Sequence, residues 1–338
     1  MADSAIRWGI IGPGKIASSV VGDFEHVPGA ELVGVASRSL DRAQAFAAAH
    51  GIARSFGSYA EIIADDDIDV LYIATPHTHH HAIGLAAVRA GKAILVEKAF
   101  TATMAGATEL VNEARERQVF AMEAMWTRFQ PAVVRARELI AEGAIGEVRS
   151  VQADLGVARE YRPADRSFAF ELGGGALLDL GVYVVSFAQM LLGTPTTVHA
   201  KGMLEPTGVD AAATLLLGFG AGKTAALMCD LHSPTPGQAR IFGTTGWIDV
   251  LPRFHHPDTL VLHRQSAEPE SMRRTPLGRG YAHEFIEVTE CLRAGRIESS
   301  IMPLEDTLAV QAVLDEALRQ LGIEFTESPN AMLAEGQN

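Results

Sequence analysis

The sequence predicts an α/β protein with two domains, at residues 1–124 and 125–338. Three observations predict it. Strand-like and helix-like segments alternate strictly through the first third. A glycine-rich turn, Gly12-Pro13-Gly14, sits at the first passage from strand to helix. After about residue 125 the pattern changes to short β-rich runs bounded by turns. Strict alternation predicts a doubly wound parallel sheet with right-handed crossovers, and such sheets bind ligands at the carboxyl ends of their strands. At ~100–200 residues per domain, a chain of 338 residues is expected to hold about two.

Residues 6–11 are a short apolar run that predicts a buried strand, 15–23 a helix, and 31–36 (ELVGVA) a second strand. Residues 39–50 are Ala-rich and predict a helix stopped by Gly51. Ser58 and Glu61 have capping-box spacing and open a short helix. A strand follows at 69–74, a helix at 79–90 ended by Gly91, a strand at 93–96, a charge-paired helix at 104–118 and a short strand at 120–122. Beyond 125, helices are predicted at 131–143, within 173–192, at 281–293 and at 304–321. Between them lie the β-rich runs TVHAKGM, AATLLLGF, KTAALMCDL, ARIFGTTGWIDV and TLVLH, two of them joined by a tight turn at Gly220-Ala221-Gly222. These runs predict an antiparallel or mixed sheet. Leu215, Leu217, Phe219 and Leu227 are expected on an open face of it, and a large exposed apolar face marks an interface between subunits. The stretch 252–280, irregular and Pro-rich with five arginines, reads as a surface loop or part of a site rim, the loop being the safer reading.

Hydrophobic residues make up 48% and charged residues 20%, a globular composition. Lys+Arg 28 against Asp+Glu 41 gives a net charge of −13. That disfavours nucleic acid and anionic membrane as partners, so any phosphate on a ligand must be neutralised locally. Cys229 and Cys291 form no CxxC pair, which fits a reducing compartment without disulfides or zinc. The opening residues MADSAIRWG lack the basic start and apolar stretch of a signal peptide. No uninterrupted apolar run reaches ~18 residues, so no membrane span is expected, and the expected location is the cytoplasm.

Gly12-Pro13-Gly14-Lys15-Ile16-Ala17 reads G-x-G-x-x-A between the first strand and first helix, the context that a dinucleotide fingerprint requires. Gly12 permits the tight turn, Gly14 lets the backbone approach a pyrophosphate at the helix N-terminus, and Ala17 allows close helix–strand packing. An NAD enzyme usually carries Asp or Glu at the end of the second strand for the ribose hydroxyls. This chain has Ala36-Ser37-Arg38, with Arg42 one helical turn on. Arginine offers a planar fork to a 2′-phosphate and Ser37 a hydroxyl, so NADP is preferred over NAD, which stays possible.

Other candidates fail. GAGKT at 220–224 lacks the P-loop's leading glycine, since position 217 is Leu217. His283-Glu284 does not continue to HExxH, because position 287 is Glu287. His79, His80 and His81 diverge around a helix and cannot share one metal ion, and GxSxG is absent.

Several segments together resemble the Gfo/Idh/MocA oxidoreductases. They are Thr75-Pro76-His77 with His80, Gly91-Lys92, Glu97-Lys98, the run from Gly173 to Tyr183 (GGGALLDLGVY) and the last helix pair. Within that family, MEAMWTRF at 122–129 and Tyr183 are most similar to the dimeric dihydrodiol dehydrogenases, which also oxidise D-xylose with NADP. The resemblance implies a Rossmann domain followed by an α/β domain whose large open, mostly antiparallel sheet often joins subunits, here into a homodimer or a tetramer built from dimers. It implies hydride transfer between nicotinamide and a sugar, cyclic polyol or trans-dihydrodiol. Lys98 would lie between nicotinamide and substrate, Tyr183 would be the proton donor and acceptor, and Asp179 would hold substrate hydroxyls. Thr75, His77, His80 and Glu97 would line the cofactor, and Arg166 and Tyr281 match positions that approach cofactor or substrate in relatives. The family motif Glu-Lys-Pro ends here in Ala99. That proline shapes the turn presenting the lysine, and a non-proline cis bond costs ~2.5–4 kcal/mol.

The residues agree with that implication. Lys98 directly follows a strand end on the ligand side of the first sheet, and Asp179 and Tyr183 are spaced to share one helix face behind a bare, anion-friendly N-terminus. A phenol titrates near ~10, so Tyr183 as a base needs its ionised form stabilised. Two alternatives remain in view: a non-catalytic dinucleotide-sensing regulator of the same fold, as with a galactose-regulon repressor of the family, and a reductase of anhydrofructose-type dicarbonyl sugars.

Overall fold

In the computed structural model, which describes residues 5–328, the first strand β1 (Ile6–Ile11) runs through the middle of a six-stranded parallel sheet. The other strands are β2 (Ala30–Ala36), β3 (Arg54–Phe56), β4 (Val70–Ile73), β5 (Ala93–Glu97) and β6 (Ala121–Ala124), in the order β3-β2-β1-β4-β5-β6. The order reverses at β1, and the crevice there is where such sheets take ligands. The central strands are buried on both faces, which is why they read as unbroken apolar runs. Crossovers run through α1 (Lys15–Val20), α2 (Leu40–His50), α3 (Tyr59–Ile63), α4 (His77–Arg89) and α5 (Met104–Arg117).

The caps follow from sequence. Ser39 Oγ accepts from Arg42 N at α2, whose end is left-handed Gly51. At α3, Ser58 Oγ accepts from Glu61 N at 3.2 Å, while Glu61 Oε2 accepts from Gly57 N rather than closing the capping box on Ser58. The predicted helix 15–23 ends early, because Val21–His26 tightens into a 3₁₀ turn. Strand β3 has only three half-buried residues and no readable pattern.

The second unit opens with α6 (Pro131–Ala141) and is built on an eight-stranded sheet. Its strands are β7 (Val148–Gly156), β8 (Thr197–Leu204), β9 (Asp210–Gly218), β10 (Thr224–Asp230), β11 (Ala239–Gly243), β12 (Gly246–Val250), β13 (Thr259–Arg264) and β14 (Glu270–Arg273). The order is β14-β13-β12-β11-β7-β10-β9-β8, antiparallel throughout except for the β7–β10 pair. Helix α7 (Val182–Leu192) packs against β7 and β10. Within 252–280, TLVLH forms β13 as its β-rich run predicts, and β14, which was not expected, pairs with it as an edge hairpin; ARIFGTTGWIDV folds as two paired strands, β11 and β12.

The expected open face needs correcting. Leu215, Leu217, Phe219 and Leu227 are all buried, at 5% exposure or less. Leu215 pairs with Leu227 and Leu217 with Ala225, on the inner side of the sheet. The outer face carries Thr214, Leu216, Ala226 and Met228 instead, with Leu216 half exposed. A one-residue shift of parity moves a strand's whole apolar set to the other face.

Phe170–Leu192 is long and apolar enough by length and composition to cross a bilayer, contrary to the expectation drawn from uninterrupted runs. In its most apolar window 83% of residues are buried within the fold, as in the core helix of a globular unit.

Helices α8 (Ala282–Arg293) and α9 (Leu304–Leu321) are the last elements among the described residues. By contacts, the first unit comprises the chain up to Ala124, Leu277–Thr307 and the residues from Thr326 on; the second comprises Met125–Pro276 and Leu308–Phe325. Helix α8 groups with the first unit for a physical reason. Phe285 packs edge-on against Trp8 and Tyr72 and lies 4.6 Å from the Phe24 ring. The Asp23 carboxylate accepts from the backbone N–H groups of Arg279, Tyr281 and Ala282 ahead of the helix.

Candidate functional site

Within the first unit, the sequence-selected residues gather where β1, β2, β4 and β5 end. Gly12 has φ +95°, and a Cβ there would lie 2.9 Å from the Ala74 carbonyl oxygen, so only glycine fits. Gly14 is the N-cap of α1 and faces open space on its Cβ side. Lys15 and Ile16 open the helix, and Ala17 is fully buried beneath it. Thr75 follows β4, and its buried hydroxyl has no hydrogen-bond partner among the described residues. These features fit a dinucleotide: a turn only glycine can make, a helix N-terminus open to a pyrophosphate, and an unmet hydroxyl beside it.

At the end of β2, Ser37 is buried and its Oγ accepts from Ser39 N. Arg38 and Arg42 are exposed and close enough to Tyr59 to offset part of the upward pull of burial on its phenol. Arg38 also disfavours the charged form of His79, which burial lowers to about 4. Arg38, Arg42, Tyr59 and His79 thus make one electropositive corner. Tyr59 and His79 were not found from sequence, since they join it only through the packing of α3 and α4.

His77 is buried at the start of α4. His80 is fully buried, with Nδ1 3.0 Å from Ala99 O and Nε2 2.7 Å from Thr75 O. Burial lowers its pKa to about 4, so it is neutral at pH 7 and donates to one carbonyl at a time. Its ring therefore braces the loops that follow β4 and β5.

Lys98 is half-buried just beyond β5, and its peptide bond to Ala99 is cis. The Glu97 carboxylate accepts from Tyr72 Oη at 2.5 Å and from Lys98 N at 3.2 Å, which fixes the lysine backbone. Glu284 is fully buried nearby, and neither carboxyl oxygen has a hydrogen-bond partner among the described residues. Burial first, then the Glu97 and Asp23 charges, push its pKa well above the ordinary carboxylate value. Tyr281 begins the α8 segment, and its phenol is pushed up by burial and by Glu97 and Glu284.

Within the second unit, Asp179 is 2% exposed and paired with two arginines. Arg166 Nη2 donates to Oδ1 at 2.8 Å. Arg159 Nη2 lies 2.8 Å from Oδ2 as an ion pair, off the axis of a hydrogen bond. Tyr183 is 9% exposed and accepts a hydrogen bond from Trp126 Nε1 at 3.1 Å. The His255 ring lies 5.2 Å from the phenol ring. Arg159 and His255 have no local sequence signature, and Trp126 lies in the MEAMWTRF run, which gives the family resemblance and not the contact with the phenol.

Two expectations about this segment need correcting. The predicted helix is irregular at its start: a π-helical turn at Leu177–Gly181, which holds Asp179, precedes α7, which holds Tyr183. The N-terminus after the glycine run is not bare either. Asp210 Oδ2 accepts from Leu177 N at 2.7 Å and is also bonded by the Ala176 backbone. Gly175, at φ +115°, admits that carboxylate, since a Cβ there would stand 2.2 Å from Asp210 Oδ1.

No group of three or more His, Cys, Asp or Glu among the described residues is placed to hold a metal ion. A concavity lined by Gln152, Asp154, Thr214, Met228, Gln238 and Arg240 lies on the outer face of the eight-stranded sheet, and none of the selected residues lines it.

Comparison with known proteins gives a consistent answer. Residues 6–125 match the oxidoreductase family with an NAD-binding Rossmann fold, and residues 133–249 match the GFO/IDH/MocA C-terminal domain. A trans-1,2-dihydrobenzene-1,2-diol dehydrogenase from Xenopus tropicalis is 37% identical over 330 residues, covering 95% of this chain and 99% of its own. One of the same name from Danio rerio is 36% identical, covering 96% and 99%. Among solved structures, a 3-ketoreductase from Actinomadura kijaniata in complex with NADP and TDP-benzene superposes with a TM-score of 0.83 at 28% identity, covering 96% of this chain and all of that one. A levoglucosan dehydrogenase bound to NADH and levoglucosan, at 22% identity and a TM-score of 0.85, shares the fold over 94% of this chain and 98% of its own. With a Rossmann sheet that carries the glycine turn and whole-length relatives above 30% identity, the chain belongs to the Gfo/Idh/MocA family of NAD(P)-binding oxidoreductases.

Proposed function

We propose that the protein is an NADP-preferring dehydrogenase of a secondary hydroxyl, acting on a trans-dihydrodiol, a sugar or a cyclic polyol. The observation that carries this reading is Tyr183, a buried phenol hydrogen-bonded by an indole N–H, in a chain that also keeps Lys98 after β5. Whole-length similarity to the dihydrodiol dehydrogenases supports the substrate class.

NADP would be held by Gly12, Gly14, Lys15 and Ile16 at its pyrophosphate and by Ser37, Arg38 and Arg42 at its 2′-phosphate. A bound nicotinamide supplies reversible two-electron redox chemistry. The chain's own residues handle the proton. During oxidation Tyr183, ionised, takes the proton of the reacting hydroxyl, and during reduction it returns it. Lys98, a cation whose backbone is fixed by Glu97, favours the ionised phenol. Asp179, oriented by Arg166 and Arg159, accepts hydrogen bonds from substrate hydroxyls.

Nicotinamide fluorescence on titration with NADP and with NAD, together with turnover of trans-1,2-dihydrobenzene-1,2-diol, D-xylose and inositols, tests the reading. NADP binding with turnover supports it. NADP binding without turnover of any diol, sugar or polyol would instead favour a dinucleotide-sensing regulator.

A further inference from the structure

The second unit contains a buried polar assembly around Tyr183 that the proposed reaction does not by itself require. The 3₁₀ turn Trp126–Phe129 lies against α7, the helix that carries the phenol. Its Arg128 is 2% exposed and reaches one stretch of that helix, with Nε on Ser186 Oγ at 3.1 Å and Nη2 on Gln189 Oε1 at 2.5 Å. A buried guanidinium is costly unless its donors are met, so these bonds fix the register of the turn on the helix. Two further bonds hold the turn. Gln130 Nε2 donates to Trp126 O at 3.1 Å, and Thr127 Oγ1 donates to His255 O at 2.8 Å. The His256 ring tilts over the indole at 5.2 Å. The indole N–H that results points at Tyr183 Oη.

We propose that the Trp126–Arg128 turn is the positioning device of the catalytic phenol: Trp126 stabilises the ionised form of Tyr183 and aims its proton, and Arg128 holds the indole in place. This rests on the assignment of Tyr183 as the group that takes the hydroxyl proton. An indole nitrogen can only donate. The phenol oxygen therefore accepts from Trp126 in both protonation states, and its own proton points away from the indole. A hydrogen bond to an ionised oxygen is roughly twice as strong as one to a neutral oxygen, so the contact draws the phenol toward ionisation. Charged or titratable groups near Tyr183 in the same unit include Asp179 on the preceding turn with its partners Arg159 and Arg166, Arg128 on the facing 3₁₀ turn, and His255 and His256 with Arg253 on the facing loop. Trp126 carries no charge and donates directly to the phenol oxygen.

Trp126→Phe keeps an aromatic ring and removes the N–H. With trans-1,2-dihydrobenzene-1,2-diol and NADP, the rising limb of the oxidation pH profile should move up by about one pH unit. Turnover below the limb should fall about tenfold and recover above it, with NADP affinity unchanged. Tyrosinate absorbance, read as the difference against Tyr183→Phe, reports the same ionisation without turnover and should move in parallel. If Trp126→Phe does not fold, fluorotryptophan incorporation acidifies the indole N–H in the intact chain and should move the limb down. An unmoved limb, with Tyr183→Phe abolishing it, overturns the role of Trp126 and leaves the base assignment standing. A limb that survives Tyr183→Phe overturns both.

Discussion

Arg38 and Lys98 were readable as single residues, and each carries a distinct expectation. Arg38 stands at the end of β2 beside Arg42 and Tyr59, with no carboxylate in the place an NAD enzyme would use. Arg38→Ala should weaken NADP by about 1.5–3 kcal/mol, the worth of a charge-assisted hydrogen bond, and NAD far less. Calorimetric titration with both cofactors checks it; equal losses would remove the case for NADP preference. Lys98→Met should lower kcat, and combined with Tyr183→Phe the losses should be non-additive, because both residues serve one proton transfer. Double-mutant kinetics read this directly. The glycine turn and Lys98 were legible because a motif sits at a strand end. Trp126 and Arg159 were not, because Trp126 meets Tyr183 57 positions on and Arg159 meets Asp179 across a loop.

At the level of elements, the Gly175–Asp210 contact links the glycine run to β9. Gly175→Ala places a methyl group 2.2 Å from Asp210 Oδ1 at φ +115°. It should destabilise the fold by about 2 kcal/mol or more in denaturant unfolding. Burial raises the Asp210 pKa to about 7. The folded chain therefore keeps a proton between about pH 4 and 7 that the unfolded chain releases, so this group's stabilisation is complete below the unfolded value and is lost as pH rises through 7. The slope is at most ~1.4 kcal/mol per pH unit. Asp210→Asn should flatten that fall by its own share, leaving the parts due to Glu327 and Glu284, which burial also raises, and the opposite contribution of His79 and His80, which burial lowers to about 4. Unfolding curves from pH 4 to 7 would show an unchanged slope if Asp210 were ionised throughout.

The parallel sheet was legible because strands buried on both faces read as apolar runs. Strand β7 was missed, since VRSVQADLG mixes polar and apolar residues on a strand that is half open. The wrong parity on β9 came from Leu215-Leu216-Leu217, a run in which nothing alternates.

For the whole molecule, the outer face of the eight-stranded sheet bears Leu216 at 53%, Met203 at 50%, Trp247 at 39% and Met228 at 36% exposure. We propose that this open face is the contact surface of the expected dimer, or tetramer of dimers, with these residues in place of the inner ones. Light scattering should return more than the mass of one 338-residue chain, and Leu216→Asp with Met228→Asp should shift it toward that mass. A monomer before mutation would refute the association.

The proposed activity also belongs to this scale, because it is read on the intact chain. The most direct measurement is kcat for NADP-linked oxidation of trans-1,2-dihydrobenzene-1,2-diol by the intact chain and by Tyr183→Phe, across pH. The intact chain should show a limb rising through an apparent pKa below ~10. Tyr183→Phe should bind NADP as before, lose ~10²–10⁴-fold in kcat and lose the limb. Full turnover by Tyr183→Phe would contradict the assignment.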